Sequence, residues 1–222
     1  MQKTSVNRLA TSGLMLAMAT TVAAMMTLIP FFSQAFGGSF TCGSMLPIVI
    51  ISYMYGVRWG LFTSATYAVI QIAMDLMLGK GSVILAMFLP NSDSYMGAVA
   101  AICILLIDYV VAYTVLGLGG LLRNRFRSKS AALAVGSVVA LLLRYLAHIV
   151  SGFIFYGAWA EWFFSEPENA WIGEKILSVF SGNALALIYS VFYNGLYMIP
   201  EIIVTAILAT VVARIPQVKR VG

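Results

Sequence analysis

Long apolar stretches separated by short polar or basic interruptions run the length of the chain, and about 20 such residues suffice for an α-helix to cross a bilayer. The pattern predicts roughly six membrane helices. Helix 1 covers about 8–30 and ends near Pro30, before a polar, glycine-rich loop holding Ser33, Gln34, Gly37, Gly38, Ser39 and Thr41. Helix 2 is short, about 44–57, and turns tightly through Gly56-Val-Arg58-Trp59-Gly60 into helix 3 at about 60–79, which carries Gln71 and Asp75 on one face. Pro90, Asn91, Ser92 and Asp93 mark a loop from Lys80 to about Ser94. Helix 4, about 96–121, holds Asp108 and Tyr109 near its middle and is closed by Arg123, Arg125, Arg127 and Lys129. Helix 5 follows at about 131–157, and Trp159, Trp162 and Trp171 then fit a membrane interface. Helix 6, about 176–213, is too long for one straight span, so Gly182, Gly195 and Pro200 are the expected break points.

Composition excludes a soluble fold, because 61% of the 222 residues are hydrophobic and only 9% are charged. Strand-like alternation is absent, so the expected fold is an all-α integral membrane protein in one domain, residues 1–222. The run from about Leu9 to Phe32 exceeds the roughly 7–15 apolar residues of a signal-peptide core, so it is kept as the first helix. Net charge +5 could suggest nucleic acid, yet the cations sit in loops between apolar runs, which encodes membrane orientation instead. Lys3, Arg8, Arg58, Arg123, Arg125, Arg127, Lys129, Arg214, Lys219 and Arg220 fall on one side of a six-helix arrangement, against Lys80 and Lys175 on the other. Both termini are therefore expected in the cytoplasm. Cys42 and Cys103 show neither metal-ligand spacing nor a disulfide framework.

Beyond the loops, Asp75, Asp108, Arg144, Glu201 and the single histidine, His148, lie at membrane depth. Charge there is costly, by at least about 2.5–3.5 kcal/mol on insertion scales, so each is a candidate site residue. Mutual pairing is the plainer alternative, with Arg144 meeting a carboxylate and Asp75 and Glu201 serving structure. Arg144 and His148 share a helix face, being four residues apart, and an interhelical hydrogen bond would also explain them. Asp108, Tyr109, His148, Tyr189 and Asn194 fall at one depth toward the outer side on three antiparallel helices, with Tyr156 and the tryptophans above. The result is an aromatic pocket with a polar floor, suited to a small, flat cationic ligand. No motif of a metalloprotease, serine hydrolase or Walker A loop occurs, so no catalytic or metal-binding residues are assigned.

Five segments, in order along nearly the whole chain, carry a family resemblance: Ser44-Met-Leu-Pro-Ile48; Arg58-Trp-Gly-Leu-Phe62; Asp108-Tyr109 followed by Leu116-Gly-Leu-Gly-Gly-Leu121; Arg144-Tyr-Leu-Ala-His148-Ile-Val-Ser-Gly-Phe-Ile-Phe-Tyr156; and Tyr189-Ser-Val-Phe-Tyr-Asn194-Gly-Leu-Tyr-Met-Ile-Pro-Glu201. The chain resembles the thiamine-specific S components (the ThiT family) of energy-coupling factor (ECF) vitamin transporters. The resemblance implies a six-helix subunit of a prokaryotic plasma membrane that captures thiamine outside and docks on a transmembrane EcfT subunit driven by two ATPases. It implies that Asp108 engages the aminopyrimidine with His148, Tyr189 and Asn194, that Tyr109 lines the site, that Tyr156 stacks on the ligand, and that the loop at about 31–43 forms a lid. Family members carry glutamate and tryptophan where this chain has Asp108 and Tyr156, which shortens the carboxylate's reach and weakens the cation-π surface.

Partner docking calls for closely approaching helices. Gly13, Ala17 and Thr21 form a small-residue stripe on helix 1, and Ala19 and Ala23 form another on a different face. By the resemblance, Gly13 and Ala17 fit the EcfT-docking motif best, while internal packing would explain either stripe. The expected protein binds thiamine, sits in lipid, uses no cofactor of its own, leaves ATP hydrolysis to its partners and is not an enzyme. The alternatives are an S component for another vitamin or pyrimidine precursor, and a small membrane enzyme using Asp108 and His148 as acid and base.

Overall fold

The computed structural model describes residues 2–29, 38–78 and 82–219, and every extended regular element among them is helical. In chain order these are α1 (Gln2–Thr27), α2 (Leu46–Tyr55), α3 (Val57–Leu78), α4 (Val83–Phe88), α5 (Ala98–Gly120), α6 (Lys129–Phe155), α7 (Ala160–Ser165), α8 (Ala170–Val179), α9 (Gly182–Val212) and α10 (Pro216–Lys219). Five of them, α1, α3, α5, α6 and α9, are long and apolar enough to cross a membrane. Their outward faces expose Leu14, Val69, Val99, Leu146 and Ile203, which lipid tolerates and water would not.

The sixth expected helix, α2, has only ten residues and spans about 15 Å, half a bilayer core. Pro47 suits its first turn and Gly56, at φ +91°, ends it. It is apolar on all sides, and Ile48, Val49, Ile51 and Tyr53 are fully buried, so α2 is the centre of the bundle rather than a lipid-facing wall.

Close backbone approach around α2 explains the Leu116-Gly-Leu-Gly-Gly-Leu121 motif. A Cβ on Gly117 would lie 2.5 Å from the Leu61 backbone nitrogen, so glycine is what lets α5 seat against α3. Ser52 of α2 completes the junction: its hydroxyl donates to the Gly117 carbonyl and accepts from Gly120 N–H at 3.0 Å. At the same end Trp59 Nε1 donates to Ser12 Oγ at 2.9 Å and the Arg8 guanidinium lies 4.1 Å from the Trp59 ring centroid, tying α1 to the start of α3.

Helix continuity follows the expected break at Gly182 and departs from expectation at Gly195 and Pro200 and in the loop before α5. The predicted sixth helix is divided into α8 and α9 by Phe180–Ser181 and Gly182, at φ +55°, whereas Pro200 stays inside α9. The expected loop from Lys80 to Ser94 contains α4, whose first turn is capped by Ser82 Oγ accepting from Leu85 N–H at 3.1 Å.

Candidate ligand-binding site

Helix α5 is α-helical over Ala98–Ile104, widens to a π-helical turn over Leu105–Val111 and tightens to 3-10 geometry over Val115–Gly120. A π turn inserts a residue into the helix and redirects the side chains on it, a device common at functional sites. Asp108 and Tyr109 both lie on this turn and face different neighbours.

Asp108 turns to α6. Its Oδ1 lies 2.8 Å from His148 Nδ1, and its Oδ2 accepts the Ser151 hydroxyl at 2.6 Å. A carboxylate oxygen facing an imidazole nitrogen is satisfied when that nitrogen carries the proton, and Nδ1 is the nitrogen that faces Asp108. His148 Nε2 is then left buried without a partner, and the Asp108 side chain keeps 18% of its surface open. Arg144 shares the helix face, and the alternative of its pairing with a carboxylate does not hold among the described residues. Its guanidinium lies 3.9 Å from the Tyr113 ring centroid, leaving Nε and Nη1 without hydrogen-bond partners.

Helix α9 supplies the third wall. Asn194 Nδ2 donates to the His148 carbonyl at 3.3 Å and to the Ser190 carbonyl at 2.9 Å, and its Oδ1 accepts from the Tyr197 hydroxyl at 2.7 Å. Gly152 permits this approach of α6 and α9, since a Cβ there would meet Ser190 Oγ and lie 3.2 Å from Asn194 Nδ2. Tyr189 is buried one turn earlier, its ring 5.3 Å from Phe163 of α7 and 5.5 Å from Tyr193. Tyr156 follows the last residue of α6, its ring 5.8 Å from the Trp159 ring, and its hydroxyl donates to the Met87 sulfur at 3.5 Å.

The structure thus brings Asp108, His148 and Asn194 into one network, while Tyr156 and Tyr189 belong to the apolar core around it. Tyr109 turns toward α3, where its hydroxyl donates to Asp75 Oδ2 at 3.0 Å. Sequence reasoning missed Ser151 and Tyr197. Each lies three residues after a chosen group, His148 and Asn194, and helical spacing alone could have flagged them.

The remaining candidates separate cleanly. Glu201 is fully buried and accepts from the backbone N–H groups of Thr41 and Gly43, both at 2.8 Å. Most of the expected lid at about 31–43 lies outside the described residues, and Glu201 grips its described end. On α1, Gly13, Ala17 and Thr21 are exposed, whereas Ala19 and Ala23 are buried, with Tyr67 donating to the Ala19 carbonyl at 3.4 Å. The second small-residue stripe therefore packs within the chain.

Fold and site together define a helical, multi-pass membrane protein with a polar network where three of its helices meet. The family model described as thiamine transporter protein (Thia_YuaJ) matches residues 13–94 and 84–165. The thiamine transporter ThiT of Bacillus subtilis (strain 168) is 30% identical over 186 residues, covering 80% of this chain and 76% of that protein. A solved structure of ThiT from Listeria monocytogenes superposes with a TM-score of 0.57 at 15% identity, over 92% of this chain and 96% of that one, and so shares the fold. The chain belongs to the thiamine transporter family, a prokaryotic family of multi-pass membrane proteins.

Proposed function

We propose that the protein is the thiamine-binding S component of an ECF transporter, a six-helix domain of residues 1–222 in which α2 counts as the second helix and both termini face the cytoplasm. The observation that carries the reading is the Asp108 carboxylate meeting the single imidazole of the chain at 2.8 Å between α5 and α6. A carboxylate has about four acceptor positions, and Asp108 spends two on His148 and Ser151. The rest can receive the amino group of an aminopyrimidine, while the negative charge offsets a thiazolium cation. The Tyr156 ring offers that cation an aromatic face, Tyr189 and Asn194 bound the chamber, and Tyr109 lines its α3 side. Relatives named as transporters favour capture and release over catalysis.

The basic segments support the orientation, with Arg8 stacked on Trp59 beside Arg58 at one end of the bundle. Docking on EcfT and its two ATPases uses the exposed Gly13–Ala17 face of α1, where a Cβ on Gly13 would meet nothing within 4 Å. The test of the ligand is titration of the purified protein with thiamine, followed by tryptophan fluorescence and calorimetry. Saturable, stoichiometric binding without turnover is expected; preference for a different pyrimidine or vitamin would reassign the cargo, and product formation would replace transport by catalysis. Ala17→Trp should leave that binding unchanged and cut thiamine uptake by cells carrying the ATPase module at least about fivefold, a steric loss of close helix approach. Normal uptake would move the docking face elsewhere.

A further inference from the structure

Asp75, like Glu201, is an acid at membrane depth that the binding scheme leaves unused, and its carboxylate joins three parts of the chain. Oδ1 accepts the Ser82 hydroxyl at 2.6 Å and the Ile84 N–H at 3.4 Å, while Oδ2 accepts the Tyr109 hydroxyl at 3.0 Å. Through Ser82 and Ile84 it holds the first turn of α4, and Ser82 in turn caps that helix. Met87, near the end of α4, is buried and its sulfur accepts the Tyr156 hydroxyl at 3.5 Å. The Met87 carbonyl accepts from Met96 N–H at 3.1 Å, which closes the segment onto the start of α5. Ile84, Met87, Ala101 and Ile104 form a small core of their own, with Tyr109 and Tyr156 packed against it.

We infer that Asp75 is a positioning residue for ligand binding: its one carboxylate couples the Tyr109 side chain to the segment bearing Met87, so that Tyr109, Met87 and Tyr156 are set as a single outer wall of the chamber. The ligand part of this inference rests on the proposed thiamine site. The chemistry favours such a role over a bland anchor. A carboxylate near lipid needs its acceptors filled, and apolar packing could hold a six-residue helix without an acid. Here every donor to Asp75 leads, directly or through α4, to an aromatic group of the chamber wall.

The test compares wild type, Asp75→Ala, Asp75→Asn and Tyr109→Phe as purified full-length protein, with thiamine release followed by stopped-flow tryptophan fluorescence and amide exchange measured without ligand. Asp75→Ala should release thiamine at least about tenfold faster and speed exchange at residues 84–88. Asp75→Asn should return release to within about threefold of wild type, because its amide oxygen still accepts from Ser82 and Ile84 and its amide nitrogen can donate to the Tyr109 oxygen. Combining Tyr109→Phe with Asp75→Ala should add less than the sum of the two single effects, since both break one hydrogen bond. Release by Asp75→Ala within twofold of wild type, or an Asp75→Asn protein as fast as Asp75→Ala, overturns the inference while leaving thiamine binding intact. A wild-type protein that ignores thiamine sinks the proposed function instead; the exchange data then decide the cross-link, which unchanged exchange in Asp75→Ala refutes and faster exchange supports.

Discussion

Two of the carboxylates set inside the helical bundle, Asp108 on α5 and Glu201 on α9, have partners that differ in kind. Glu201 is held by backbone: Thr41 and Gly43 donate at 2.8 Å each, and Thr205 Oγ1 adds a longer contact at 3.4 Å. The chain curls around it through left-handed residues, Cys42 at φ +52° and Gly43 at φ +78°, so two N–H groups converge on one anion. Asp108 is held by side chains, His148 and Ser151, and retains some open surface. Its neighbour His148 leaves Nε2 without a partner, whereas Glu201 has no such orphan among its partners. Backbone donors make a staple, because they cannot turn away without refolding the loop. Side-chain donors with an unsatisfied atom beside them would make a seat for the ligand of the proposed function.

The largest expected effect tests the seat. Asp108→Ala removes the acceptor of a charge-assisted contact and strands the His148 and Ser151 donors in a low-dielectric setting, which corresponds to about 3 kcal/mol or roughly a hundredfold in thiamine affinity. Calorimetry on the purified variant measures it, and a dissociation constant within threefold of wild type would place the ligand elsewhere. Glu201→Gln tests the staple. Glutamine offers one acceptor oxygen, so its amide nitrogen must face a backbone N–H, at a stability cost of about 2 kcal/mol. The melting temperature should fall while thiamine affinity of the folded protein changes less than about tenfold. A stable Glu201→Gln protein as defective in binding as Asp108→Ala would erase the distinction.

How far these features could be read from sequence follows from what each depends on. The five long helices were legible because apolar run length alone decides whether a helix can cross lipid. The brevity of α2 was legible too, from the tight connection that begins at Gly56, but its burial on all sides is a property of its neighbours. Gly182 marked a true break, whereas Pro200 did not, since a proline disrupts only one hydrogen bond and packing against other helices can retain it. The meeting of Asp108, His148 and Asn194 followed from helix depth, which counting residues gives well. The divergence of Tyr109 from Asp108 did not, because a π turn leaves no mark in composition. Pairing of Arg144 with a carboxylate was the plainer alternative on grounds of charge; helical spacing sets the face a side chain takes but not its reach, and the Tyr113 ring lies under it instead.

The smallest effect sharpens the comparison most, because it asks whether Asp108 needs both of its clamps. Ser151→Ala removes one neutral donor from Oδ2 and leaves Oδ1 on His148, so affinity should fall by about 1 kcal/mol, roughly fivefold. Since His148 is the single histidine, labelling with 15N-histidine gives one imidazole to observe. In wild type and in Ser151→Ala alike, the ligand-free ring should carry its proton on Nδ1, and thiamine should shift the Nε2 resonance, the atom left buried without a partner. A ring protonated on Nε2 alone would mean that Asp108 does not orient it, and the contrast with Glu201 would then rest on burial rather than on the kind of donor. If instead the ring keeps its tautomer and only affinity moves, the serine trims the aim of the carboxylate while the histidine contact fixes it.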